Sequence, residues 1–251
     1  MRRLLIPLFA LALAACQGPT VELLDDPNEI LAAAATTTAA ATSVHVDLAA
    51  DGTISIDPFG TGLGADVDLG DTNAAADIDL TNGELRATFS APGVLGLAGE
   101  VIVADGTAYV KTTLTGPNYR ATPVGQTQSP LAGLTELLAD ANLEPVKGAD
   151  VPCAGGTCYT VELQLAADDL GGLLGGGSIQ LPASIPIPIP DLSTATADVT
   201  IQVEQTTTRL SGITAELDLG DLGTPTITAT FSKWNEPVQI SPPPADQVEP
   251  A

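Results

Sequence analysis

Along most of the chain apolar and polar residues alternate one by one. Residues 43–49 place Val44, Val46 and Leu48 on one side and His45 and Asp47 on the other, the period of a half-buried strand. Strand signals repeat over 53–56, 65–69, 75–80 and 84–90, separated by Gly, Asn and Asp turns such as Thr81-Asn82-Gly83. Residues 99–103 and 107–113 form a hairpin through Ala104-Asp105-Gly106, because Asp-Gly accepts the positive φ of a tight primed turn. Alternation returns over 159–165, then over three long stretches, 195–205, 209–219 and 226–234, the last extended by Val238 and Ile240. Helical spacing predicts a helix over 28–41, capped by Asn28, with Ile30, Leu31, Ala34 and Ala35 on one side. A second helix is expected over 129–141, with Ser129 as N-cap, Pro130 at the first position and Leu131, Leu134, Leu137 and Leu138 at helical intervals. A short helix is expected over 168–174. The prolines alternating with Ile185, Ile187 and Ile189 have no N–H for a ladder, so 179–190 is an extended connector against the core or a lip beside a ligand portal.

The N-terminus obeys a different pattern. Met1-Arg2-Arg3 precedes an apolar run over 4–12 that is too short to span a bilayer, and residues 1–15 read as a signal peptide. Leu13-Ala14-Ala15-Cys16 resembles the bacterial lipobox, which implies that the Cys16 thiol receives a diacylglyceryl group and becomes the first residue of the mature chain. The alternative is ordinary cleavage after Ala15 with Cys16 left as a free thiol. Two or three acyl chains on one residue anchor a protein stably, which places the domain outside the cytoplasm, on the outer face of the cell membrane. Residues 16–27 then form a lipidated, flexible tether, 28–241 a single domain, and 242–251 a disordered, proline-rich acidic tail.

The net charge of −23 includes Arg2 and Arg3 of the leader, so the mature chain is more acidic still. Such a surface excludes nucleic acid, whose phosphates need basic partners, and electrostatic attachment to anionic lipid. Aromatics make up 3% of the chain against 44% apolar residues, so a pocket here is walled by aliphatic side chains and suits neither sugars nor bases. Cys153 and Cys158 bracket Ala154-Gly155-Gly156-Thr157; outside the cytoplasm so close a pair is expected as a structural disulfide, since a metal needs more ligands and redox pairs are more usually spaced Cys-x-x-Cys. His45, the only histidine, is expected to face solvent from its strand. No nucleophile elbow, phosphate-cradling loop or metal-ligand spacing occurs, and adjacent Asp168 and Asp169 read as a solvated helix start, so neither catalytic residues nor a cofactor nor a metal is expected.

The order of lipobox, N-terminal helix, meander, leucine-bearing helix and three long strands ending Thr230-Phe231-Ser232-Lys233-Trp234, with Val-Ala-Asp-Gly-Thr-Ala-Tyr-Val at 103–110, resembles the LppX/LprA/LprF/LprG family of mycobacterial-type envelope lipoproteins. The Cys153/Cys158 pair, the Ile-Pro repeat and the Gly-rich meander at 57–74 depart from that pattern. The resemblance implies an α+β fold, a strongly curved antiparallel half-barrel with a few helices on its concave face, enclosing an apolar cavity. It further implies an acyl-chain lipid or lipoglycan as ligand, carried between envelope layers, with an envelope lipid transporter as a possible partner and the membrane engaged through the anchor. Candidate wall residues are Leu134, Leu137 and Leu138 on the second helix, Val44 and Val46 on the first strand, and Val199 and Ile201 on a late one. A structural or adhesive envelope protein with a closed core, and a hydrolase, are the competing readings.

Overall fold

The computed structural model describes residues 23–56, 65–124, 131–140, 142–167 and 194–249. Helix α1 (Pro27–Ala39) is followed by β1 (Ser43–Asp51), β2 (Thr53–Ile56), β3 (Ala65–Asp68), β4 (Thr72–Asp79), β5 (Glu84–Ala91), β6 (Leu97–Ala104), β7 (Thr107–Thr112) and β8 (Arg120–Pro123). Helix α2 (Ala132–Leu138) precedes β9 (Val146–Lys147), β10 (Val151–Cys153), β11 (Gly156–Ala166), β12 (Thr196–Glu204), β13 (Leu210–Asp218) and β14 (Thr226–Ser232).

Both helices differ from their sequence reading at the ends. The N-cap of α1 is Asp26, whose carboxylate accepts from the Asn28 backbone N–H at 2.9 Å, with Pro27 opening the helix. A carboxylate serves the unpaired N–H groups of a first turn, and proline has no N–H there to leave unpaired, so Asn28 is left inside the helix. Helix α2 is shorter than expected, beginning after Leu131 without a side-chain cap. Ser129, Pro130 and Ala141 lie outside the described residues.

Eleven strands run antiparallel in the order β10-β11-β12-β13-β14-β1-β4-β5-β6-β7-β8, and the two-residue β9 pairs beside β10 with Val161 and Glu162 of β11. The sheet is curved and does not close: β10 and β8 are its free ends, while β2 and β3 pair as a separate ribbon. Register carries the alternation across the whole sheet. On the concave face Val161 is opposite Ile201, which is opposite Ile213, and the row continues through Ala229, Leu48, Ala74 and Phe89 to Gly99. Gly99 is required there, because a Cβ would stand 2.4 Å from the Lys111 carbonyl oxygen and 2.7 Å from Cζ of Phe89, whose ring covers it. A parallel row, Val44, Ile78, Leu85 and Val103, lies nearer the end of the sheet where α1 hands over to β1. That end is called the near end below; the opposite one, where β1 reaches Asp51 and β5 reaches Ala91, is the far end.

The end of β14 explains the Ser-Lys-Trp sequence. Strand β14 stops at Ser232 because Lys233 and Asn235 take φ of 50° and 61°, which turns the chain sharply. Between them Trp234 folds into the core, stacks on Phe231 at 6.0 Å between ring centres and donates from Nε1 to the Leu210 carbonyl at 2.9 Å. Asn235 then ties the turn to β1, donating from its backbone N–H to Ser43 and accepting from the Thr42 N–H with its side chain.

Val238 and Ile240 therefore do not prolong the strand. The chain beyond Trp234 crosses the convex face as an arm, and Ile240 and Val248 pack there with Ile102, Ala104, Tyr109 and Tyr119. The arm is secured beside β8, where the Tyr119 N–H donates to Gln247 and the Glu249 N–H donates back to Tyr119, each at 2.8 Å. Disorder expected from residue 242 is thus replaced, through residue 249, by a docked segment with its own 3-10 turn (Ala245–Gln247).

Candidate functional site

The concave face is one continuous apolar cluster. Side chains from α1 (Ile30, Leu31, Ala34, Ala35) meet Val44 and Val46 of β1, Leu163 of β11 and Val199 and Ile201 of β12, with Leu138 of α2 in the same cluster. Leu134 and Leu137 are half-buried against it. The seven wall candidates thus share one face, and the strand residues among them are turned toward the helices. Four aromatic residues share this face, Tyr159, Phe231 and Trp234 in the core and Phe89 half-buried over Gly99, although composition pointed to purely aliphatic walls. Tyr159, Phe231 and Phe89 sit on alternation positions with aliphatic neighbours, so the same period was the signal for them, whereas Trp234 lies past the end of β14 and is brought in by the turn.

Cover by the helices is uneven. At the near end Val44 is fully buried, whereas toward the far end Leu48 and Ile227, on the same concave face, are each 40% exposed. A sheet face that remains apolar past the edge of its roof can solvate hydrocarbon. Among the described residues no group of side chains has metal-ligand geometry, and no helix is long and apolar enough to cross a membrane.

The convex face is polar and more structured than the sequence indicates. His45 Nδ1 lies 2.7 Å from Asp77 and Nε2 lies 3.4 Å from Asp47, with the imidazole only 18% exposed. It faces outward as its strand position predicts, but the arm covers it, forming a recess of about 240 Å³ lined also by Arg86, Lys233 and Glu236. Beside it Glu100 accepts from Tyr119 Oη at 2.6 Å and pairs with Arg86 at 2.6 Å and Lys111 at 3.5 Å. Burial works against the charge of Glu100, but the hydrogen bonds from Tyr119 and Arg86 and the two cations outweigh it and hold the carboxyl below its ordinary range.

The tether is fixed at its inner end. Leu24 donates from its backbone N–H to Tyr159 Oη at 2.8 Å, and Lys147 Nζ donates to the Leu24 carbonyl at 3.1 Å while pairing with Asp25 at 2.9 Å. The hydrogen bond with Asp25 keeps the Lys147 ammonium protonated above its ordinary range. Cys153 and Cys158 are joined by a disulfide at the β10–β11 turn. Cys16, the helix expected over 168–174 with Asp168 and Asp169, and the Ile-Pro repeat lie outside the described residues, as does 57–64 of the Gly-rich meander.

What these residues define is an open antiparallel half-barrel with two helices on an apolar concave face. The chain belongs to the LppX_LprAFG lipoprotein family, whose model matches residues 26–240. Its fold is similar to the crystal structure of lipoprotein LppX from Mycobacterium tuberculosis, with a TM-score of 0.54 and 18% identity over 86% of this chain and 98% of that one. It is likewise similar to LprF from Mycobacterium bovis, with a TM-score of 0.57 and 16% identity over 88% and 98%. At such identities the likeness is one of fold. No curated protein sequence matches the chain.

Proposed function

We propose that this protein is an extracytoplasmic lipoprotein, anchored to the outer face of the cell membrane through Cys16, that takes acyl chains onto its concave face and carries them between envelope layers. The observation that carries the reading is the apolar concave face extending beyond the helices, where Leu48 and Ile227 remain 40% exposed on the face that elsewhere forms the core. Family membership supports the envelope setting. An acyl chain moved from bilayer to such a face exchanges one apolar environment for another at roughly 0.8 kcal/mol per CH₂ on either side, so transfer is nearly balanced. Near balance lets a carrier both load and release.

The test is made on protein purified from its own host. Organic extracts should contain a stoichiometric acyl lipid by mass spectrometry, and Leu134→Trp, which fills space beside the helices, should lower uptake of a labelled lipid without altering the circular dichroism spectrum. Cys16→Ala should release a folded, soluble domain. A delipidated, folded protein that takes up no phospholipid, glycolipid or triacylglycerol overturns the carrier reading, and a Cys16→Ala variant retained in washed membranes overturns the anchor.

A further inference from the structure

Turns at the two ends of the sheet differ in character. At the near end they are polar, as in Thr81-Asn82-Gly83 and Asp105-Gly106. At the far end the β5–β6 turn is Pro92-Gly93-Val94-Leu95-Gly96, and the β7–β8 connection begins Thr113-Leu114. Leu95 is 86% exposed and Leu114 is 60% exposed in a protein of net charge −23. Neither projection is a fraying end. Leu95 is held at φ 53°, a left-handed conformation that branched residues rarely adopt, in a turn closed by bonds from Val94 to Ala91, Gly96 to Pro92 and Leu97 to Val94. The two turns are joined, because Thr113 Oγ1 donates to the Gly96 carbonyl at 3.1 Å and the Thr113 N–H donates to Ala98. Two leucines on adjoining, braced turns therefore stand out into solvent at the end of the sheet where, among the described residues, Leu48 and Ile227 of the central strands are 40% exposed while Leu165 and Ala197 beyond them stay buried.

We infer that Leu95 and Leu114 form a docking tip that inserts into the surface of a neutral lipid bilayer and brings the concave face around Leu48 and Ile227 toward it. The inference rests on the anchored-carrier reading for its purpose. The tether is clamped through Leu24 at Tyr159, which lies seven strand residues, or about 24 Å, from the far end of its own strand β11 at Ala166. Eight residue steps separate Cys16 from the clamped Leu24, about 28 Å when straight, so an anchored Cys16 can lie level with the far end of β11. Charge selects the surface. Asp51, Asp68 and Asp71 lie at this end, and Gly93 packs so close to Asp68 that a Cβ would overlap the Asp68 carbonyl oxygen. Those carboxylates repel anionic headgroups and a second copy of the same tip alike, which leaves an uncharged or zwitterionic surface as the occupant.

The test uses the full chain with phosphatidylcholine vesicles whose acyl chains are brominated, comparing Leu95→Trp, Leu114→Trp and, as a near-end control on an equally exposed turn, Asn82→Trp. The native Trp234 is buried and contributes a common background. Bromine quenching of the Leu95→Trp and Leu114→Trp variants should exceed that of Asn82→Trp by at least about threefold, since only an indole within the hydrocarbon boundary meets the quencher. Equal quenching of all three overturns the docking tip, whatever the state of Cys16. A blue shift in Leu95→Trp that grows with protein concentration but is insensitive to bromine assigns the tip to self-association and overturns it as well. The mass of the Cys16 peptide is read on the same samples: selective quenching with an unacylated Cys16 supports the tip and overturns the anchor reading alone.

Discussion

Glu100 shows how one carboxylate couples two parts of the convex face. It draws Arg86 of β5 and Lys111 of β7 together across β6 and holds the Tyr119 hydroxyl, and Tyr119 in turn carries the end of the arm. Its carboxyl lies below the ordinary 4.5 in the folded state, so the group favours folding above that value and loses its contribution as pH falls through the folded one. Glu100→Gln should therefore be less stable than the native protein by about 1–3 kcal/mol at pH 7, with the difference narrowing toward pH 3. Urea unfolding at pH 7, 5 and 3 measures it, and a difference that stays constant across that range would remove Glu100 from the acid response.

Among the elements, the β10–β11 hairpin is the one with a covalent bond. A loop as short as that between Cys153 and Cys158 removes little entropy from the unfolded chain, so replacing both with serine should cost about 2 kcal/mol and leave the fold in place. A loss of more than twice that, read from the urea midpoint, would mean that the bridge shapes the hairpin itself. The strands were the most legible part of the sequence, because alternation is local and the face opposite α1 had to be apolar at every second position. Helix ends were less so: Asp26, Pro27 and Asn28 are all good first-turn residues in a row, and local preference does not rank them. The arm was not legible at all. Its pairing of Val248 with Tyr119 links residues more than a hundred positions apart, and its prolines erase the periodicity by which a segment betrays its partner. The same blindness hid the cover over His45. At the site, alternation indicated which strand residues share the concave face, but not how far the helices would roof it.

For the whole molecule, the arm is the principal external brace. Deleting residues 237–251 bares Ile102, now 2% exposed, together with Tyr109 and Tyr119, and should lower stability by about 3 kcal/mol while raising the binding of an apolar fluorescent dye. An unchanged urea midpoint would show that the arm only rests on the sheet. The two free ends of that sheet have a further consequence. Strand β10 is three residues long with Pro152 at its centre, and β8 is four residues ending in Pro123, with the arm paired immediately before it at Tyr119. Neither presents a run of free N–H and C=O groups on which a strand from another molecule could template. Copies crowded on a common surface can then meet at these two strands without zipping into filaments, the self-adhesion that an unclosed sheet ordinarily invites.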